Sequence, residues 1–201
     1  MRYRDAKSAL RTLTKVAASQ GGYFTARQAE VAGYDAPHLS YHLHAGNFER
    51  VSRGLYRIPT LPLAEHDDLM RLSLWSRGRD DRPQAVVSHQ TALALHDLAE
   101  FIPKEVHITV PPMFRRHPAG NCVLHRAKLA RDDARPFGSF SVTTPHRTLR
   151  DLADAKSLPE EQFMNAVSAA AERGLIRRKD VDQLLSTVRP RGRAPRRASR
   201  G

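Results

Sequence analysis

The chain has 201 residues, 40% of them hydrophobic, enough for one generous domain or two small ones. Its single cysteine, Cys122, excludes an internal disulfide and any multi-cysteine zinc site. The formal charge of +12 is unevenly placed: residues 1–58 carry nine Lys/Arg against four Asp/Glu, giving +5, residues 59–187 carry eighteen against seventeen, giving +1, and residues 188–201 carry six against none, giving +6.

Two basic ends around a near-neutral middle match the charge distribution of a nucleic-acid footprint. The start, MRYRDAKSAL, is charged from its second residue and has no apolar h-region, so it does not read as a signal peptide. No apolar run has bilayer length. The sequence therefore predicts a soluble, cytoplasmic protein.

Over 3–19, Ala6, Leu10, Leu13 and Ala17 recur at helical spacing, and Gly21-Gly22 ends the pattern. Thr25 stands three residues before Gln28, the spacing of a capping box, so a short second helix runs to about Ala32. Gly33-Tyr34-Asp35 forms a tight turn, and Asp35 can N-cap a third helix, APHLSYHLHAG, with Pro37 tolerated in its first turn. Leu39 and Leu43 face the core of that helix. Pro37, His38, Tyr41, His44 and Ala45 fall on the opposite side, with Ser40 and His42 on the flanks.

The next stretch, GNFERVSRGLYRIP, reads as a β-hairpin in one of two registers. A two-residue Arg53-Gly54 turn opposes Arg50 to Arg57, a like-charge pair that a phosphate between them would relieve. A three-residue loop, Ser52-Arg53-Gly54 with Gly54 left-handed, pairs Arg57 with Glu49 and Arg50 with Tyr56 instead. Helix, short helix, tight turn, helix and hairpin is the order of a winged helix-turn-helix. In that reading the third helix enters the major groove of double-stranded DNA with His38, Ser40, Tyr41 and His42 near bases and His44 on the same exposed side. Arg50, Arg53 and Arg57 of the wing hold the backbone or the adjacent minor groove.

Pro59 and Pro62 punctuate the linker IPTLPLAEH, which divides a DNA-binding domain, 1–59, from a second domain, 60–187. That second domain reads as a helix over 67–75, a charged loop over 77–83, and a helix in SHQTALALHDL with Ser88 as N-cap and Ala92, Leu95 and Leu98 as its buried stripe. Strands follow at 105–110, 121–125 and 140–143. Thr144-Pro145 opens PHRTLRDLAD, in which Leu149 and Leu152 face the core and Arg147 and Asp151 form a helix-surface ion pair. Helices at 159–173 and 178–186 complete it. Residues 188–201, with six arginines and no apolar periodicity, read as a disordered basic tail. The fold class is α+β.

Catalytic signatures are weak. The Asp-x-Lys matches, Asp5 with Lys7 and Asp154 with Lys156, sit at a helix start and a helix end, away from the strand pair that a metal-dependent nuclease needs. Ser88, His89 and Asp97 supply triad residue types without a nucleophile elbow. His38 and His42 lie one turn apart, with His44 nearby, but no third ligand accompanies them. The reading is of a non-enzyme without metal or cofactor.

Residues 1–59 together with SHQTALALHDL, EVHITVPP and SVTTPHRTLRDLAD resemble the AbiEi family of bacterial type IV antitoxins, up to about Leu185. The resemblance implies a two-domain transcriptional autorepressor whose winged helix binds inverted repeats in its own promoter. It also implies a C-terminal domain that opposes a nucleotidyltransferase-like toxin without requiring a stable complex. Related proteins sometimes continue into a nuclease-like domain, and this chain stops before one would fit. The alternative is a plain transcriptional regulator whose C-terminal domain senses a ligand or protein partner, with a truncated nuclease as a third reading.

Overall fold

The computed structural model describes residues 3–118 and 120–188. The N-terminal part runs α1 (Tyr3–Ala18), β1 (Tyr23–Thr25), α2 (Ala26–Ala32), α3 (Ala36–His44), β2 (Glu49–Ser52) and β3 (Leu55–Arg57), with an antiparallel sheet in the order β1-β3-β2. Local chemistry sets the boundaries. The Thr25 hydroxyl accepts from the Gln28 amide while the Gln28 side chain accepts from the Thr25 amide at 2.8 Å, a capping box that starts α2. Gly33 at φ 104° ends it in the left-handed conformation that glycine adopts without a Cβ clash. In α1 the buried row is Ala9, Leu13 and Ala17, strictly four residues apart, and Leu10, expected in the core, is 44% exposed at its rim.

The linker leads into α4 (Asp67–Trp75), which serves two cores. Met70 and Leu74 pack against Tyr23 and Leu55 of the N-terminal sheet, while Leu69 packs with Val87, Ile108 and Val142 of the sheet that follows. Polar contacts repeat the connection. The Tyr23 hydroxyl donates to Asp67 at 3.1 Å, and burial together with that carboxylate pushes its pKa up to about 12. Arg77 donates to Gln20 at 2.8 Å and to Asp81 at 3.0 Å.

Beyond α4 come β4 (Val86–Val87), α5 (His89–Leu95), β5 (Val106–Val110), β6 (Cys122–Arg126), β7 (Ala134–Phe137), β8 (Phe140–Thr143), α6 (Pro145–Ala155), α7 (Glu160–Glu172) and α8 (Arg178–Val188). The strands form one mixed sheet, β6-β5-β4-β8-β7, with β5–β6 and β4–β8 parallel and the other two pairs antiparallel. Leu93, Leu149, Leu152, Phe163 and Val167 build a second core among the helices. Of the expected stripe, Ala92 and Leu98 are buried, but Leu95 is only half-buried and Leu93 takes the inner position.

Three side chains behave differently from expectation. Ser88 stands at the N-cap of α5, yet its side chain makes no cap bond; it is fully buried and accepts from Thr109 Oγ1 at 2.8 Å. Arg147 is 6% exposed rather than on the helix surface. Its Nε donates to Asp151 at 2.7 Å and its Nη1 to Asp133 at 2.6 Å, so one guanidinium ties α6 to the turn before β7. Thirdly, His89 begins α5 at φ 51° and stacks on His125, ring centroids 3.4 Å apart and 13° from parallel. His125 Nε2 in turn lies 3.0 Å from His107 Nδ1.

Burial, reinforced by the neighbouring imidazoles, pushes His89 down to about 3 and His125 down to about 4. Among the described residues no helix is long and apolar enough to cross a membrane. The tail expected to be disordered, apart from Val188 at the end of α8, lies outside the described residues.

Truncating Arg147 to Ala leaves two partly buried carboxylates without their partner, and urea unfolding should show a loss of about 3–5 kcal/mol. A loss below about 1 kcal/mol is the value for an exposed pair and would contradict the burial. The histidine stack sets a pH dependence. His89 and His125 are neutral when folded, whereas in the unfolded chain they take up protons near the ordinary imidazole pKa of about 6.5. Their contribution is complete above that pH and is lost as pH falls towards about 3 and 4. Between about pH 7 and pH 5, His89 alone should cost on the order of 2 kcal/mol of unfolding free energy, and His125→Phe should flatten the slope.

Candidate nucleic-acid interface

The third helix is held by its ends and by a row of rings. The Asp35 carboxylate accepts from the His38 amide at 2.8 Å, capping the first turn, and Pro37 occupies a position where no helical amide bond is lost. Tyr34, His38 and His42 follow one another at four-residue spacing. Tyr34 stacks on His38 with centroids 4.8 Å apart and meets His42 edge-on at 5.4 Å. Phe48, from the chain entering the wing, stacks on His42 at 4.9 Å and contacts Tyr34 at 5.5 Å.

This cluster decides which histidines face outward. His42 is half-buried, and burial, then the neighbouring His38, lowers its pKa. Its Nδ1 lies 3.1 Å from the Asn47 amide and its Nε2 lies 3.3 Å from His38 Nε2. An Asn47 N–H donated to Nδ1 makes Nε2 the protonated nitrogen of His42, which then donates to His38. Both histidines thus seat the helix. Ser40, Tyr41 and His44 are exposed, Tyr41 by 65%. His44 Nδ1 donates to the Ser40 carbonyl at 2.7 Å, which leaves Nε2 as the ring nitrogen outside that bond.

The wing resolves the register question with a feature of each alternative. Ser52 pairs with Leu55, so the turn is the two-residue Arg53-Gly54, with Gly54 at φ 75°. Val51 is then skipped as a bulge, and the strands resume as Arg50 with Tyr56 and Glu49 with Arg57. Arg50 and Arg57 therefore do not oppose each other. Arg57 is also turned away from solvent, its side chain 17% exposed. One Nη donates to the Leu61 carbonyl at 2.7 Å and the other lies 3.9 Å from Glu49, so Arg57 ties the wing to the linker and does not present a free cation.

Arg50 and Arg53 are exposed. The Gly54 carbonyl accepts from the Ala26 amide at 3.0 Å, joining the wing tip to the start of α2.

Of the eight residues singled out by sequence, five present polar groups to solvent: Ser40, Tyr41, His44, Arg50 and Arg53. His38, His42 and Arg57 are engaged inside the domain. Sequence reasoning passed over Tyr34, Asn47 and Phe48, which seat the helix. The four-residue spacing of His38 and His42 was the signal, because on a helix that spacing places side chains on one face, and Tyr34, just before the N-cap Asp35, continues the row. Among the described residues no group of three or more His, Cys, Asp or Glu side chains is placed to hold a metal ion.

No curated protein matches the chain. Among solved structures it is similar to the crystal structure of RV2827C protein from Mycobacterium tuberculosis, with a TM-score of 0.47 and 16% identity, over 92% of this chain and 82% of that one. Residues 11–59 match the family model described as transcriptional regulator, AbiEi antitoxin. The matched segment supplies the second half of α1 together with α2, α3 and the wing.

Proposed function

We propose that the protein is a cytoplasmic, sequence-specific repressor of its own promoter and the antitoxin of a type IV toxin–antitoxin system. The observation that carries the reading is the outward face of α3, Ser40, Tyr41 and His44, together with exposed Arg50 and Arg53 in the wing, within the segment matched by the family. Hydroxyl, phenol and imidazole groups supply donors and acceptors for base edges in the major groove, and the two arginines supply charge for phosphates. His38, His42 and Arg57 act indirectly, by fixing the angle at which the helix and wing are presented. Inverted repeats in double-stranded DNA are the target. The toxin is a nucleotidyltransferase-like protein that need not form a stable complex, and the reading requires neither cofactor nor catalysis.

Fluorescence anisotropy on a duplex carrying the inverted repeat upstream of the gene tests the DNA half. Arg53→Ala should weaken binding to every sequence and reduce the log–log salt slope by about 0.9. Tyr41→Ala and His44→Ala should cost about 1–3 kcal/mol on the operator with little change in slope, because base contacts carry sequence information and phosphate contacts carry charge. An Arg53→Ala protein with unchanged affinity and slope would remove the wing from the interface. Co-expression with the neighbouring gene product, scored by growth, tests the antitoxin half. Operator binding without growth rescue would favour a plain regulator whose C-terminal domain senses a ligand or partner.

A further inference from the structure

The loop over 77–82 carries Arg77, Arg79 and Arg82 against Asp80 and Asp81. It joins α4 to β4 and so lies beyond the winged helix in the chain. We propose that Arg79 of this loop and Arg27 at the start of α2 form a second phosphate contact beside the wing tip, so that the DNA interface draws on both halves of the chain. The inference rests on the DNA-binding reading above and extends that interface past the segment matched by the family.

Hydrogen bonds bring the groups together. Thr25 pairs with Leu55 across β1 and β3, and the Ala26 amide donates to the Gly54 carbonyl at 3.0 Å, so the first turn of α2 lies against the wing tip that carries Arg53. Arg27 follows at once in that turn, and its Nη1 donates to the Arg79 carbonyl at 2.6 Å. Wing tip, helix start and loop are therefore neighbours. The loop is also fixed from behind. Arg77 donates to the Gln20 side chain at 2.8 Å and to the Asp81 carbonyl at 2.6 Å, while the Gln20 and Gln28 side chains exchange hydrogen bonds at 3.1 and 3.0 Å. Gln28 is the capping-box residue of α2, so the side chain that starts the helix also steadies the loop beside it. A cation carried on an ordered loop loses less freedom when it meets a phosphate.

Charge completes the case. The two acids of the loop are engaged within it: Asp81 pairs with Arg77 at 3.0 Å, and Asp80 lies 4.0 Å from Arg82 and accepts from its amide. Arg27, Arg53 and Arg79 are all exposed, and among the described residues no carboxylate lies within ion-pair distance of any of them. Glu30, one turn after Arg27, and Asp80, next to Arg79, are the nearest acids in sequence, and neither pairs with these arginines. Neighbouring guanidinium groups without counter-charge repel one another. A phosphate backbone relieves that repulsion and releases counterions as it binds. The near-neutral charge count of residues 59–187 concealed this group, because pairing inside the loop cancels its other charges and leaves Arg79 over.

The test is fluorescence anisotropy of the full chain on the operator duplex and on a scrambled duplex, each over a range of salt. Arg79→Ala should weaken both by about fivefold to tenfold near 0.1 M salt and reduce the log–log slope by about 0.9, with thermal melting unchanged because the side chain is exposed. Arg79→Lys keeps the charge and should keep the slope. Replacing Arg27 and Arg79 together by Ala should remove about 1.8 from it. Lys179→Ala takes the same unit of charge from α8, which packs on α6 and α7, and should leave the slope as it is. An unchanged slope in Arg79→Ala beside a lowered one in Arg53→Ala would overturn this inference alone. An equal loss in Lys179→Ala would reduce the effect to net charge and overturn it as well. Absence of duplex binding by the unaltered chain would overturn it together with the reading on which it rests.

Discussion

Helix α4 is the constraint on which the rest of the molecule depends. Nine residues long, it buries Leu69 in one core and Met70 and Leu74 in another, so neither sheet can be repacked without disturbing the other. The proline-rich linker before it gives the appearance of a flexible joint. Instead, Arg57 in the wing reaches the Leu61 carbonyl, Gly21 approaches Ala64 closely, and Tyr23 donates to Asp67. These contacts, with Met70 and Leu74 packed on Tyr23 and Leu55, hold the winged helix to the linker and α4.

The winged helix reaches its shape by a division of labour among residues that look equivalent in one dimension. On α3 the histidines divide in role: His38 and His42, one turn apart, join a ring cluster with Tyr34 and Phe48, while exposed His44 is fixed by the Ser40 carbonyl. The arginines of the wing divide in the same way. Arg57 is committed to the linker, and Arg50 and Arg53 remain available. A charge count treats the three as one cationic strip, but desolvation and hydrogen bonding separate them by function.

Much of this was legible in the sequence, because it rests on local chemistry. The capping box at Thr25, the N-caps at Asp35 and Thr144, the left-handed Gly33 and the span Asp67–Trp75 all follow from interactions within a few residues. What escaped depends on distant partners. Strand Val86–Val87 is too short to show alternation, and Ala134–Phe137 contains a proline that an edge strand tolerates because one of its sides needs no amide donors. The burial of Arg147 could not be read from Asp151 alone, since the second carboxylate, Asp133, lies fourteen residues back. The stacked histidines were hidden for the same reason: residues 89, 107 and 125 come from a helix start and two strands that only the sheet order brings together. At the wing, both registers could be written down, but the bulge at Val51 that combines the turn of one with the pairings of the other was not among them.

That bulge separates two kinds of variation. Because side chains alternate along a strand, the extra residue at Val51 absorbs one step of the pattern, leaving the outer part of the hairpin free of the inner register. At the tip, exposed Ser52 and Arg53 can change, whereas Gly54 at φ 75° and buried Leu55 are held, and Glu49 and Arg57 keep their pairing. Length is another matter. Loss of Val51 would keep the pairings of Ser52 with Leu55, Arg50 with Tyr56 and Glu49 with Arg57 but remove the bulge, and with it the local bend and twist it puts into the wing. The identity of Ser52 and Arg53 is therefore independent of the inner register, whereas the residue count between Arg50 and Ser52 sets how the tip is bent.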